Sequence, residues 1–281
     1  KKVVDAARDA GVTYFDTANN YGYEAGLSEI LLGKALGNRR GDVVIATKFG
    51  LPVAGEPKEL ARGSRSYIMQ QCEASLRRLG TDWIDLYYYH SPDALTPIAE
   101  TIDALDTLVD QGKIRYYGVS NTTGWQLADA WHHSRRGRLV ATQNHYNLLD
   151  RRAEQEIVPA AQNFGLGLVP YYPLAAGILT GKYTNGIPQG ARLKPGDPKL
   201  AAANIEALRE YQDFCSQRDM HQASVAIAWL ASQSPVSSII AGATRPEQIC
   251  ANAQAVDLEL SVEDLAALDE IFPRPEKVAL F

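Results

Sequence analysis

This chain of 281 residues has no apolar run long enough to cross a bilayer, which takes a helix of about 20 residues. It has no surplus of basic residues either: 28 Lys and Arg stand against 33 Asp and Glu, a net charge of −5. That balance gives no electrostatic footprint for nucleic acid and no attraction to an acidic membrane. Cysteine is scarce, and Cys72, Cys215 and Cys250 are scattered without a C-x-x-C pair. Three such residues make no disulfide framework; they read as small buried hydrophobes and fit a reducing cytoplasm. The histidines lack metal-ligand spacing, since His132 and His133 adjoin while His90, His145 and His221 stand apart. Charge breaks up the opening Lys1–Ala7 at once, so it does not read as a signal peptide. No repeat, charge block or low-complexity tract divides the chain, and one domain over 1–281 is expected.

What is present is a repeated alternation of short apolar runs with helical patterns. Strands are expected at Val12–Phe15, Asp42–Lys48, Trp83–Tyr89, Ile114–Val119, Leu139–Thr142, Leu166–Pro170 and Ser238–Ala241. Helices are expected over 1–10, Gly26–Leu36, Ser66–Leu79, from a Thr96-Pro97 cap to Gly112, and over Gly124–Arg136. Others should run from an Asp150 cap to Phe164, over 200–218, 222–233 and 246–255, and from a Ser261–Asp264 capping box. Two Gly- and Pro-rich stretches, Phe49–Gly63 and Leu174–Lys199, read as surface loops, the second lying over a pocket.

This order calls for parallel β with right-handed crossovers, either a doubly wound sheet or a (β/α)8 TIM barrel. A doubly wound dinucleotide fold should carry G-x-G-x-x-G after its first strand; Gly165-Leu166-Gly167 instead precedes a strand. The barrel is therefore the expected fold. Only seven strands can be counted, and a closed barrel cannot spare one without exposing two edges. The first strand is expected upstream of this chain or missing from it, leaving the domain N-terminally incomplete, unless another segment fills its place.

Barrel chemistry gathers at the carboxyl ends of the strands. Those positions carry Asp16 and Tyr21, then Lys48, His90, Ser120 and Asn121, Gln143, Tyr171, and finally Gly242-Ala243-Thr244. Singly each has an ordinary reading: a lysine ending a strand is a solvated charge, and a histidine before Ser-Pro is a turn residue. An acid, a phenol, an ammonium and an imidazole on consecutive rims are a constellation.

The sequence resembles the aldo-keto reductase superfamily over nearly its whole length. The pieces that match are Phe15-Asp16-Thr17-Ala18…Tyr21-Gly22, Ala46-Thr47-Lys48, Asp85–His90 and Gly112–Asn121. Tyr171-Tyr172-Pro173-Leu174…Gly177–Tyr183 and Gly242-Ala243-Thr244…Gln248…Asn252 also match. The pattern lies nearer the branch of aryl-alcohol dehydrogenase-like enzymes and potassium-channel β subunits than that of aldose reductase. The resemblance implies NADPH-dependent reduction of a small aldehyde or ketone to an alcohol. Tyr21 would be the proton donor and Lys48 the residue that lowers its pKa. Asp16 would partner Lys48, and His90 would orient the carbonyl. It also implies that Ser120, Asn121 and Gln143 hold the nicotinamide carboxamide, that Tyr171 stacks beneath its ring, and that Leu174 approaches the pyrophosphate. Gly242, Thr244, Gln248 and Asn252 would clamp the adenosine end, with Arg245 beside a 2′-phosphate. Departures from the family pattern are Tyr172 for Ser, Ser91 for Arg or Trp, and Ala251 for Glu.

Three functions remain open on these residues: a carbonyl reductase, an NADPH-binding redox-sensing regulatory subunit, and a sugar-nucleotide keto reductase. Oligomeric state is not legible in the sequence.

Overall fold

The computed structural model describes residues 1–184 and 186–276. Asn185, within the long excursion, and residues 277–281 lie outside the described residues.

Six parallel strands run in sequence order: β1 Tyr14–Asp16, β2 Val44–Phe49, β3 Ile84–Tyr89, β4 Ile114–Ser120, β5 Leu139–Gln143 and β6 Gly167–Leu168. Helices cover the outside: α1 Lys2–Asp9, α2 Leu27–Leu36, α3 Arg65–Leu79, α4 Ile98–Asp110, α5 Gly124–His133 and α6 Ile157–Phe164. After β6 come α7 Pro198–Ala201, α8 Ile205–Gln217, α9 Gln222–Ser232, α10 Pro246–Gln254 and α11 Val262–Ile271. The curled sheet and its outer layer form a partial (β/α)8 barrel. Helix α1 packs against α10, so the two ends of the helical layer meet.

The period-two pleat decides which side chains face the barrel axis. On β2, Ile45, Thr47 and Phe49 point at the helices while Ala46 and Lys48 point inward; on β3, Tyr87 and Tyr89 go out while Leu86 and Tyr88 go in. The interior is filled by Ala46, Leu86, Tyr88, Ala141 and Val169, with Tyr14 and Ile240 packed against them. Its large member, Tyr88, fits because its parallel neighbour on β4 is Gly118, where any Cβ would strike the Tyr88 ring. One pleat further along each strand, the same inward row supplies Asp16, Lys48, Ser120 and Gln143.

The outer layer has its own close approach. Gly33 of α2 lies against the Leu79 carbonyl of α3, well inside the distance a Cβ would need. Gly33→Ala is expected to destabilise the fold by about 1–3 kcal/mol through overpacking against backbone, read as a lower urea midpoint at an unchanged slope.

Several boundaries differ from the sequence reading. Thr96 does not cap α4: its N–H and the Leu95 N–H both donate to Asp93 Oδ1 at 2.8 Å, and Pro97 takes the cap position. Asp150 does not start α6. It is fixed in a 147–150 turn, and a 3-10 turn at Arg152–Glu154 intervenes before Ile157. The sixth strand is two residues long, although its bonds to the β5 chain continue from the Val169 N–H to Thr142 and the Tyr171 N–H to Asn144; Pro170, without an N–H, can only accept on its other side, from the Ile240 N–H at 3.0 Å. The strand expected at Ser238–Ala241 is reduced to isolated parallel bridges, Leu168 with Val236 and Tyr171 with Ile240. The excursion after Leu174 is not all loop: it opens with a 3-10 segment, Ala175–Thr180, and ends in α7. The Ser261–Asp264 capping box forms as expected, with reciprocal bonds of 3.1 Å.

Candidate active site

The strand ends bring the four central residues together. Lys48 ends the inward row of β2 with a fully buried side chain, and a bare ammonium there would be costly. All three of its N–H groups are used. They reach Asp16 Oδ1 in an ion pair, the Thr17 carbonyl at 2.9 Å, and the Tyr21 phenol oxygen at 3.4 Å. The second oxygen of Asp16 accepts from Gln143 Nε2 at 3.0 Å. Gln143 is positioned in turn by its backbone carbonyl, which accepts from Ser120 Oγ at 2.8 Å and from the Asn121 N–H at 3.1 Å.

Tyr21 comes from the loop after β1, and that loop is tied down at both ends. Asn19 N–H donates to the Lys48 carbonyl at 3.1 Å, Ser28 N–H to the Tyr21 carbonyl at 3.1 Å, and Thr17 Oγ1 to Ser28 Oγ at 2.8 Å. His90, directly after β3, meets the Tyr21 ring edge-on with centroids 5.7 Å apart. Its backbone is held from both sides: its N–H donates to the Phe49 carbonyl at 2.7 Å, and its carbonyl accepts from Asn121 Nδ2 at 2.8 Å.

The electrostatics depart from expectation at Tyr21. Tyr21 as a residue is 38% exposed, but the partial desolvation of its phenol end, and then the Asp16 carboxylate, push it above its usual value, so the lowering expected from Lys48 is not seen. Burial likewise works against the Lys48 ammonium, lowering its pKa, while Asp16 and Glu29 act in the opposite direction. His90 is pushed down to about 3 by burial and by the Lys48 charge, so it stands neutral, and its Nδ1 is buried with no partner among the described residues.

A cavity of about 1130 Å³ opens over this group. Asp16, Tyr21, His90, Asn121, Gln143, Tyr171, Leu174, Gly242, Thr244 and Gln248 all reach its wall. The other four expected residues do not, Lys48 because it is fully buried beneath this group. Ser120 is buried behind Gln143, Arg245 is exposed at the N-cap of α10, and Asn252 lies further along that helix. Gln248 organises the turn before α10, its Oε1 accepting from the N–H groups of Thr244 at 2.9 Å and Arg245 at 3.2 Å.

Two charged wall residues escaped the sequence reading: Lys182 and Arg192. Neither forms an ion pair among the described residues, and a Cβ on Gly177 would lie 2.6 Å from the Lys182 ammonium. Lys182 sits inside a matched motif, Gly181-Lys182-Tyr183, and was legible there. Arg192 lies in an aperiodic loop and carries no local signal. Two unpaired cations in the wall of a long cavity suit a ligand with phosphates, so the residues present fit a dinucleotide.

Comparison with known proteins agrees with this geometry. The family model described as "Aldo/keto reductase family" matches residues 1–272. "Uncharacterized oxidoreductase YrpG" of Bacillus subtilis (strain 168) is 38% identical over 285 residues, covering 98% of this chain and 87% of that protein. "Probable voltage-gated potassium channel subunit beta" of Oryza sativa subsp. japonica is 38% identical over 272 residues, 92% of this chain and 82% of the relative. "L-glyceraldehyde 3-phosphate reductase" of Escherichia coli (strain K12) is 35% identical over 286 residues, 96% and 82% of the two chains. A family match along almost the full length, on a partial barrel, decides the identity: the chain belongs to the aldo/keto reductase family, NADP(H)-dependent oxidoreductases of aldehydes and ketones.

Proposed function

We propose that Tyr21 is the proton donor in this carbonyl reduction, with Lys48, Asp16 and His90 arranged around it. One observation carries the reading. The Lys48 ammonium donates to the phenol oxygen, so the Tyr21 O–H is left free to donate. Bound NADPH supplies the hydride. The oxygen of the reduced carbonyl gains negative charge and needs a proton and a nearby donor. Tyr21 gives the proton; a raised phenol pKa keeps that proton in place until an alkoxide, a stronger base, takes it. Lys48 then faces the tyrosinate, and Asp16 keeps Lys48 charged. Neutral His90 offers a ring N–H to the carbonyl oxygen without competing as an acid.

The cofactor fits along the cavity wall. Tyr171, Asn121 and Gln143 would hold its nicotinamide end, with Ser120 bracing Gln143. Leu174, Lys182 and Arg192 would take the pyrophosphate. Gly242, Thr244 and Gln248 would take the adenosine, with Arg245 and Asn252 beyond them on α10. Leu51, from the loop after β2, also reaches the cavity and would meet substrate.

A second reading has a specific support, the likeness to potassium channel subunits beta. In it the chain binds NADPH and regulates a partner. Steady-state oxidation of NADPH separates the two, using a panel of aromatic aldehydes, a phosphorylated aldehyde and a keto sugar nucleotide. Turnover is expected with at least one simple aldehyde, and NADP⁺ at 100 times its Kd should add about 2.7 kcal/mol of stability. Stabilisation without turnover on any aldehyde would select the regulatory reading. Preference for the keto sugar nucleotide would place the chain among sugar-modifying reductases.

A further inference from the structure

Tyr171 lines the large cavity. His145, which is not in that cavity's wall, stacks on the Tyr171 ring, parallel within 9° and with its centroid 5.4 Å away. The stack follows from backbone register. Past Gln143 the chain of β5 pairs once more with its neighbour, His145 opposite Tyr171 in a parallel bridge, and the Tyr171 N–H donates to the Asn144 carbonyl at 3.1 Å. Directly opposed residues stand side by side on one face. His145 itself borders a separate cavity of about 510 Å³.

The hydrogen bonds around His145 fix its tautomer. Asn147 Oδ1 accepts from the N–H groups of Leu149 and Asp150, both at 2.9 Å, so that atom is the amide oxygen. The amide nitrogen then donates to the Tyr172 carbonyl at 2.8 Å and faces His145 Nε2 at 3.2 Å. A nitrogen facing a donor must accept, so Nε2 carries no proton. The proton of the neutral ring is on Nδ1, directed at Asp150 Oδ2 3.0 Å away. Arg152 grips both oxygens of that carboxylate, Nε on Oδ1 at 2.8 Å and an Nη on the shared Oδ2 at 2.6 Å, and the cations Arg192 and Lys199 sit over the Tyr172 ring. Tyr171 is gripped at its hydroxyl too, donating to Asn121 Oδ1 at 2.6 Å.

We infer that His145 is a positioning residue for the nicotinamide platform: it backs the Tyr171 ring from outside the cofactor cavity, and Asp150 and Asn147 hold it there. The inference rests on the reading of Tyr171 as that platform. It adds the residue that keeps the platform flat against the ring it supports. His145 touches neither cofactor nor carbonyl, so its effect should appear in cofactor binding and spare the proton step.

Titration of the full chain with NADP⁺ and NADPH, followed by protein fluorescence, tests it with two variants. His145→Ala should raise Kd for both cofactor forms about three- to tenfold, the worth of one aromatic stack, with KM for the aldehyde and kcat within about twofold of wild type. His145→Phe, which keeps a flat ring without the hydrogen bonds, should restore Kd to within about twofold. A purely structural role would lower the urea midpoint and would not split KM for NADPH from KM for aldehyde. Equal Kd in wild type and His145→Ala overturns the inference while leaving the cofactor reading intact, and so does a His145→Phe variant as weak as His145→Ala. A wild type that binds no NADP(H) overturns the cofactor reading and this inference with it. Nitrogen NMR of labelled histidine gives an independent check: the proton of neutral His145 should be found on Nδ1, and finding it on Nε2 would refute the network that holds the ring.

Discussion

Tyr21→Phe is expected to lower kcat for aldehyde reduction by about two to four orders of magnitude while leaving Kd for NADPH unchanged. The substitution removes one oxygen and little else, because the ring still packs edge-on against His90. What is lost is the phenol bonded to Lys48, and with it, on the proposed mechanism, the proton due to the alkoxide. Lys48 is a poor substitute: the substitution frees the N–H that faced the phenol, but the ammonium stays held by Asp16 and the Thr17 carbonyl and is buried below the cavity wall. Stopped-flow measurement of hydride transfer and equilibrium titration of NADPH separate the effects. If affinity falls in step with rate, Tyr21 is a cofactor contact and its assignment to chemistry is wrong.

Asp16→Asn should produce the largest loss of stability, about 3–5 kcal/mol, because it leaves the Lys48 ammonium buried with no paired charge. The loss has a direction with pH. Burial already lowers the Lys48 pKa below its ordinary value of 10.5, and without Asp16 it falls further. Between the folded value and 10.5 the unfolded chain binds more protons, so stability there rises with pH. Urea titrations should therefore show the variant weakest at low pH and recovering as the pH approaches 10.5. The double variant Asp16→Leu with Lys48→Met removes both charges and should regain much of the stability with no activity. A double variant as unstable as Asp16→Asn would show that packing, not the unpaired charge, is what Asp16 provides.

Much of this site is legible in the amino-acid sequence. Asp16, Lys48, His90 and Gln143 sit at the ends of strongly apolar strands, where period two fixes which side chain turns inward, so their convergence follows from strand order. Tyr21 was legible through its motif, although its placement depends on Ser28 and Asn19, whose bonds no pattern announces. Three things were not legible. The electrostatics at Tyr21 depend on how deeply the loop seats the phenol and on Asp16 lying closer than a sequence can say. The edges of the fold failed where one local residue overrode the pattern: Pro170 offers no N–H to the 236–240 segment, which is reduced to isolated bridges, and Asp93 took the N–H groups that left Thr96 outside its helix. Arg192 and Arg245 show the limit at the cofactor end. Position in the chain favoured Arg245 beside a matched motif, yet the cavity wall takes Arg192 from a loop with no motif.

Gln143 ties two of these arrangements into one thermodynamic unit. Its Nε2 holds the carboxylate oxygen that Lys48 does not use, and its backbone is clasped by Ser120 and Asn121. If the cofactor is gripped at Gln143, the energy of that grip and the proton affinity of Tyr21 share a free energy of coupling. Linkage makes such coupling symmetrical: whatever cofactor binding does to the acidity of the phenol, ionising the phenol must do to cofactor affinity by the same factor.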